Sequence, residues 1–424
     1  MDYIGTTEKE QKEMMNRLGI SSVLELLSAV PPSLVLLPYA EDGLSEREGL
    51  SKLTTLGKKN TFSSYTSYLG GGAYEHYVPS IVAPLLSRGE FLTAYTPYQP
   101  ELSQGVLKAT FEFQTAIAEL TGMEVANSCM YDGATACAEA LLMALRVFRG
   151  ARQKVWISKN INPRYKAVID LYLPHFEQVE TIDESVAAVL MSFPNYYGEL
   201  EDPRPIFEEA KKVGALSILC THPIALALYA SGKELGADIV IGEGQPLGLP
   251  LQFGGPYVGY MACKKSLIRE MPGRIVGETV DRNGKKCYVL TLQAREQHIR
   301  REKATSNICT SQTLASFAML ITMLWYSSKG LKNLAQENKE KADYLKKGLL
   351  KLGLKSRPLE TFNEFSITFP KKIDEILPTF EREKILPGLV LGPNSLLIAV
   401  TETKTYEDLD RFLEVTKKLC SSGL

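Results

Sequence analysis

The chain has 424 residues, 45% of them hydrophobic and 23% charged, the balance of a globular protein with room for a large core. Its formal net charge of −1 excludes a surface built to neutralise phosphates, so nucleic acid is not expected as a partner. Seven cysteines without a C-x-x-C pair, and four histidines without metal-ligand spacing, exclude a disulfide framework and a zinc site and point to a reducing, cytoplasmic setting.

Residues 1–60 read as an N-terminal helical arm. Thr7 with Glu10 forms a helix start, and a second short helix over Ser22–Leu27 is stopped by Pro31-Pro32. The first 17 residues carry no apolar signal core. Residues 61–330 read as one large α/β domain. It opens on an irregular aromatic and Gly/Pro-rich stretch from Phe62 to Pro100, where the proline-preceding residues are pushed away from helix. Val106, Ala109, Phe113, Ile117 and Leu120 then recur at helical spacing, with Gly122 as the C-cap. Asp132 caps a helix over Ala134–Phe148. After it, helices and short apolar strands alternate. Strands are predicted over 155–158, 186–193, 216–220, 238–242 and 257–263, with helices over 165–172 and 206–213. That alternation predicts a mostly parallel sheet covered on both faces.

The longest charge-free run lies between Lys303 and Lys329, but its apolar part, Leu314–Tyr326, is shorter than the roughly 20 residues a bilayer requires. It predicts a buried helix and no membrane span. Another helix follows over Leu331–Leu352. The region 331–424 reads as a smaller C-terminal α+β domain, with strands over 364–369 and 396–400 and helices over 373–380 and 406–419.

A large parallel-sheet domain between an arm and a small C-terminal domain is similar to fold type I of the pyridoxal-phosphate-dependent transferases. Such enzymes carry a lysine on the Gly/Pro turn after a sheet strand, and its amine forms an imine with the cofactor. Here the turn runs Gly242-Glu243-Gly244-Gln245-Pro246-Leu247-Gly248, and no lysine occurs between Lys233 and Lys264. Gln245 stands where the lysine is expected, and an amide is no nucleophile at neutral pH. Lys264 and Lys265 are the nearest alternatives, in a charged stretch with no reason to lose a proton. His222 stands where a carboxylate would pair with the pyridinium nitrogen. Asp132 caps the helix start on which the cofactor phosphate would rest, and it would repel a phosphate there.

Four strings carry a more specific resemblance. They are Ala94-Tyr95-Thr96-Pro97-Tyr98-Gln99-Pro100-Glu101-Leu102-Ser103-Gln104-Gly105, Tyr131-Asp132-Gly133-Ala134-Thr135-Ala136, the turn from Gly242 to Pro256, and Arg301-Glu302-Lys303-Ala304-Thr305-Ser306-Asn307-Ile308-Cys309-Thr310. Over nearly its whole length the chain resembles the decarboxylating glycine dehydrogenases, the P-proteins of the glycine cleavage system, and within them the N-terminal half, or α-subunit. The resemblance implies that pyridoxal phosphate is held covalently by a partner, the β-subunit (subunit 2), and that this chain holds none alone. It also implies a heterotetramer of two α and two β chains. The assembled enzyme would decarboxylate glycine and pass the aminomethyl group to the lipoyl arm of an H-protein.

The residues of this chain then expected near the shared pocket or interface are Tyr95, Tyr98, Glu101 and Gln104, the run Gly70-Gly71-Gly72, His76, and Thr305, Ser306 and Asn307, which resemble a helix start. Packing, a plain turn or simple capping accounts for each as well. Arg295, Arg300, Arg301 and Lys303, beside His298, form a basic cluster. It is either a solvated helix face or a docking site for an acidic lipoyl carrier. A self-sufficient enzyme using another lysine, and a scaffold without catalysis, remain the alternatives.

Overall fold

In a computed structural model, residues 5–34, 43–293 and 296–421 are described. The chain falls into two compact units, Met1–Ser63 and Ser64–Leu424. The first holds helices Glu8–Leu18 and Glu46–Gly57. Both begin with a capping box, Thr7 with Glu10 and Ser45 with Glu48, and neither buries a residue. Their sequences end in a left-handed Gly19 and at Gly57, and only the first of the two helices was predicted.

The second unit is built on a seven-stranded sheet. Its strands are β1 (Val125–Ala126), β2 (Lys154–Ile157), β3 (Glu177–Val179), β4 (Val186–Phe193), β5 (Leu216–Thr221), β6 (Ile239–Glu243) and β7 (Gly259–Cys263), in the order β1-β7-β6-β5-β4-β2-β3. The five strands β2 to β6 run parallel, β7 runs antiparallel to β6, and β1 closes the edge antiparallel to β7. All eight residues of β4 are buried, as a strand covered on both faces requires. Alternation divides the faces. Val189, Leu219 and Val240 pack with Phe113 and Ile117, whereas Leu190, Ile218 and Ile241 pack with Leu141 and Met143. The covering helices include α1 (Gln104–Thr121), α2 (Gly133–Val147), α3 (Pro163–Tyr172) and α4 (Arg204–Lys212).

An unpredicted hairpin, β8 (Ile275–Val280) with β9 (Lys286–Thr291), packs on α1 through Leu107, Tyr288 and Leu290. The long helix α5 (Thr313–Lys351) turns at Ser327, whose φ of 55° and ψ of 177° break the helical path. The two helices expected over 314–326 and 331–352 are its two limbs. A second, antiparallel sheet follows, β10 (Lys355–Ser356), β11 (Glu364–Thr368), β12 (Leu389–Gly392) and β13 (Ser395–Ala399), in the order β10-β11-β13-β12. Helices α6 (Ile373–Arg382) and α7 (Tyr406–Ser421) pack on it around Phe365, Phe380 and Phe412.

One expectation fails. Thr305, Ser306 and Asn307 do not start a helix, since α5 begins at Thr313. The Ser306 hydroxyl instead donates to Glu139 Oε1 at 3.0 Å and accepts the Ile308 amide at 3.0 Å, a loop-bracing role open to the same side chain.

Candidate functional site

Parallel strands β4, β5 and β6 bring their carboxyl ends together, the end of an α/β sheet where ligands bind. They open on a cavity of about 70 Å³. Ser192 comes from β4 and Pro194 follows it, Cys220 and Thr221 come from β5 and His222 follows it, and Glu243 ends β6. Gly71, Gly72, Tyr74 and Glu364 close it from the other side.

The glycine run is shaped by that closure. Gly71 has φ +76°, and its amide donates to Glu364 Oε1 at 2.6 Å. A Cβ at Gly70 would lie 2.2 Å from the same oxygen, so the side chain that approaches there permits only glycine. The Tyr74 hydroxyl donates to Glu364 Oε2 at 3.0 Å.

Gln245 lies in the turn after β6 and is wholly buried. Its Oε1 accepts the Tyr74 amide at 2.8 Å, and its Nε2 donates to the carbonyls of Tyr74 at 2.8 Å and Leu249 at 2.9 Å. The side chain thus stitches the turn to the 70–74 segment. No lysine is among the residues that line the cavity. Lys264 pairs with Asp238, at the opposite end of the β6–β7 pair, and is exposed.

These residues do not fit pyridoxal phosphate. The α2 N-terminus, where its phosphate would rest, is already filled by carboxylates. Asp132 Oδ1 accepts the Thr135 amide at 2.7 Å, and Glu243 Oε2 accepts the Gly133 amide at 2.9 Å. A Cβ on Gly133 would meet the Tyr165 hydroxyl at 2.6 Å, so the cup is also narrow. After β5, where a carboxylate would be needed, His222 is held neutral, well below its usual range, by burial and then by His76. Neither His222 ring nitrogen has a partner, and both are shut off from solvent.

Two carboxyls of the cavity are perturbed. Burial pushes Glu364 up to about 7 and Glu243 up to about 8, against the backbone amides that favour their ionised forms. The folded chain therefore holds the Glu364 proton to higher pH than the unfolded chain does. That contribution favours folding fully below the ordinary carboxyl range and is lost as pH rises through about 7. Glu364→Gln keeps the shape and removes the titration. The variant is expected to match its parent near about pH 4 and to exceed it by about 3 kcal/mol near about pH 8. Urea unfolding at both pH values measures this, and a pH-independent difference would contradict it.

The other candidates lie apart from the cavity. His76 is buried and bonds Glu402 through Nδ1 at 2.8 Å, with its ring 6.2 Å from that of His222. Tyr95 is 75% exposed and Tyr98 51% exposed, while Glu101 is also exposed. Gln104 turns inward, accepting the Tyr288 amide at 2.9 Å and donating to its carbonyl at 2.8 Å. Tyr98 lies under Arg274, 5.6 Å from the guanidinium, and 5.9 Å from the His298 ring. Arg300, Arg301 and Lys303 are exposed on two short helical turns near it, and Arg295 lies outside the described residues. The structure therefore groups Tyr98 with the basic cluster and the glycine run with Gln245. The sequence pointed to neither Glu364 nor Glu243 as a wall of the cavity. Glu243 stood inside the turn that drew attention, but Glu364 begins an ordinary strand and gave no signal.

No described helix is long and apolar enough to cross a membrane, and no group of three or more His, Cys, Asp or Glu among the described residues is placed to hold a metal. A family model described as glycine cleavage system P-protein matches residues 1–416. A protein from Protochlamydia amoebophila (strain UWE25), named probable glycine dehydrogenase (decarboxylating) subunit 1, is 49% identical over 99% of this chain and 100% of its own length. Among solved structures, glycine decarboxylase (P-protein) of the glycine cleavage system, in inhibitor-bound form, superposes with a TM-score of 0.90 at 40% identity, covering 99% of this chain and 100% of that one. A sphingosine-1-phosphate lyase from Burkholderia pseudomallei shares the fold, with a TM-score of 0.67 at 12% identity over 92% of this chain and 93% of its own.

Proposed function

We propose that this chain, which belongs to the P-protein family of the glycine cleavage system, is the subunit of decarboxylating glycine dehydrogenase that does not carry the cofactor. The observation that carries this reading is Gln245. Its amide is consumed in three bonds to backbone at the position where the fold calls for an amine. Pyridoxal phosphate, which supplies the electron sink for glycine decarboxylation, is then held by a partner subunit.

This chain acts by completing that partner's site. Tyr95 and Tyr98 stand out from a proline-stiffened segment, the disposition of aromatic anchors at an interface. Glu101 beside them supplies a polar rim. Arg300, Arg301 and Lys303 offer a positive surface to the carrier that takes up the aminomethyl group, a lipoyl H-protein. Arg295, by its place in the sequence, belongs with them. All of this fits a complex working in the cytoplasm.

The test is a glycine–carbon dioxide exchange assay. The chain alone is expected to give no exchange and no visible cofactor band, whereas addition of the second subunit restores both. Exchange by the isolated chain would overturn the proposal. Tyr98→Ala is expected to weaken assembly or exchange by about tenfold, the cost of one aromatic anchor. Titration of one subunit against the other measures that loss, and an unchanged midpoint would remove Tyr98 from the interface.

A further inference from the structure

We propose that the N-terminal arm is an anchor, and that helices Glu8–Leu18 and Glu46–Gly57 dock by their apolar faces on the second subunit. The identity of that partner rests on the function proposed above.

The arm builds no core of its own. Its two helices bury no residue, and no described residue from Gly5 to Ser63 is buried. Apolar residues nevertheless recur at helical spacing. Leu50, Leu53 and Leu56 fall on one side of the second helix, with Leu50 66% and Leu53 67% exposed. Met14 and Leu18 stand one turn apart on the first helix. The short turn Val23–Leu27 adds four more exposed aliphatic side chains. Among the described residues between 14 and 56, twelve large aliphatic side chains are exposed. At roughly half exposure each, they present on the order of 1,000 Å² of apolar surface. That is more than the roughly 300–600 Å² of the largest patch on a typical monomer, and it matches the roughly 800 Å² that each side of a standard interface buries.

Helix length gives an independent sign. The two helices have 11 and 12 residues, a length at which an uncovered helix is marginal in water. Each starts on a complete capping box, Thr7 with Glu10 and Ser45 with Glu48. A capping box fixes where a helix begins, but covering of the apolar face is what holds it along its length. Start signals and apolar stripes are both present, and the covering surface is what another chain supplies.

Charge decides the kind of surface. The first helix carries three acidic and three basic residues, the second two of each. A transient carrier is drawn by a surplus of one charge, and a membrane surface by a polar face rich in Lys and Arg. The arm has neither. A neutral aliphatic face of this area has the composition of a permanent interface, and the permanent partner under the proposed function is the second subunit.

Hydrogen exchange of the full-length chain, alone and with the second subunit, tests this. Alone, the amides of residues 8–18 and 46–57 are expected to exchange almost as fast as in an unfolded chain. The second subunit is expected to slow them by about a hundredfold or more. The double variant Leu50→Gln, Leu53→Gln alters exposed positions and keeps good helix formers there. It is expected to need about tenfold more chain, or beyond, to reach half-maximal glycine–carbon dioxide exchange, with the plateau unchanged. A complex that protects the arm but catalyses no glycine–carbon dioxide exchange would overturn the functional reading and uphold the docking. An active complex whose arm stays unprotected, or a double variant with an unchanged midpoint, would overturn the docking alone. Arm amides already slow in the isolated chain, or self-association of that chain in ultracentrifugation, would also overturn it. So would protection by vesicles of phosphatidylcholine and phosphatidylglycerol but not by the second subunit. If the two subunits do not associate at all, both readings fall.

Discussion

Gln245→Lys is expected to destabilise the chain by about 3–5 kcal/mol and to create no cofactor site, although it restores the residue type that the fold calls for. The reason lies in the bonds the amide makes. Lysine can donate to the Tyr74 and Leu249 carbonyls, but it has no acceptor for the Tyr74 amide, which Gln245 Oε1 now satisfies at 2.8 Å. The substitution also places an ammonium at a position with no exposed surface. One orphaned amide and one buried charge together give a loss of that size. Glu243 is close in sequence, but the side chain at 245 points away from it, to the Tyr74 and Leu249 carbonyls. The α2 N-terminus stays filled by Asp132 and Glu243, so a phosphate gains no purchase. Urea unfolding measures the first effect. Absorbance of the variant mixed with pyridoxal phosphate, followed by borohydride reduction, measures the second. A stable variant with a reducible visible band would show that one amine suffices for an imine and that the cup filled by Asp132 and Glu243 is no bar to the cofactor.

That distinction marks how far the sequence could be read. The sheet was legible because buried strands advertise themselves. Val186–Phe193 is an apolar run broken only by Ser192, and only a strand covered on both faces tolerates one. Asp132 was legible as a cap because a capping side chain acts within three residues of itself. That no lysine lies between Lys233 and Lys264 is a fact of the sequence alone. The hairpin Ile275–Val280 with Lys286–Thr291 was missed although Asn283-Gly284 is a turn signal, since the strand residues Glu278 and Lys286 interrupt the apolar pattern. The helix start expected at Thr305 was misplaced because a serine or threonine that caps a helix and one that braces a loop look alike in sequence. Glu364 was not legible at all. It reaches the cavity from a strand 290 residues beyond its partner Tyr74, and no local pattern encodes a contact of that span.

The segment that carries Glu364 into place depends on a glycine that carries no motif. After β4 the chain turns through Asn195–Leu200, and Gly198 sits in it at φ +78°. Its amide donates to Asn195 O at 2.9 Å, and its carbonyl accepts the Phe362 amide at 3.0 Å. Leu200 continues the contact by donating to Glu360 O at 2.8 Å. A Cβ on Gly198 would lie 1.8 Å from the Glu364 carbonyl oxygen and 2.4 Å from its carbon, and both are backbone atoms that no rotamer change can move aside. Gly198→Ala is therefore expected to cost about 3 kcal/mol or more, from a left-handed alanine together with a forced shift of β11. Its signature separates it from ordinary core damage. The shift starts at Glu364, so the carboxyl should lose its bonds to Gly71 and Tyr74, and the excess stability of Glu364→Gln near about pH 8 should shrink in the double variant. A double-mutant cycle from urea unfolding at about pH 5 and about pH 8 reads this directly. Additive effects at both pH values would mean that the Gly198 turn and the Glu364 carboxyl are independent, and that the cavity wall is held by the C-terminal sheet alone.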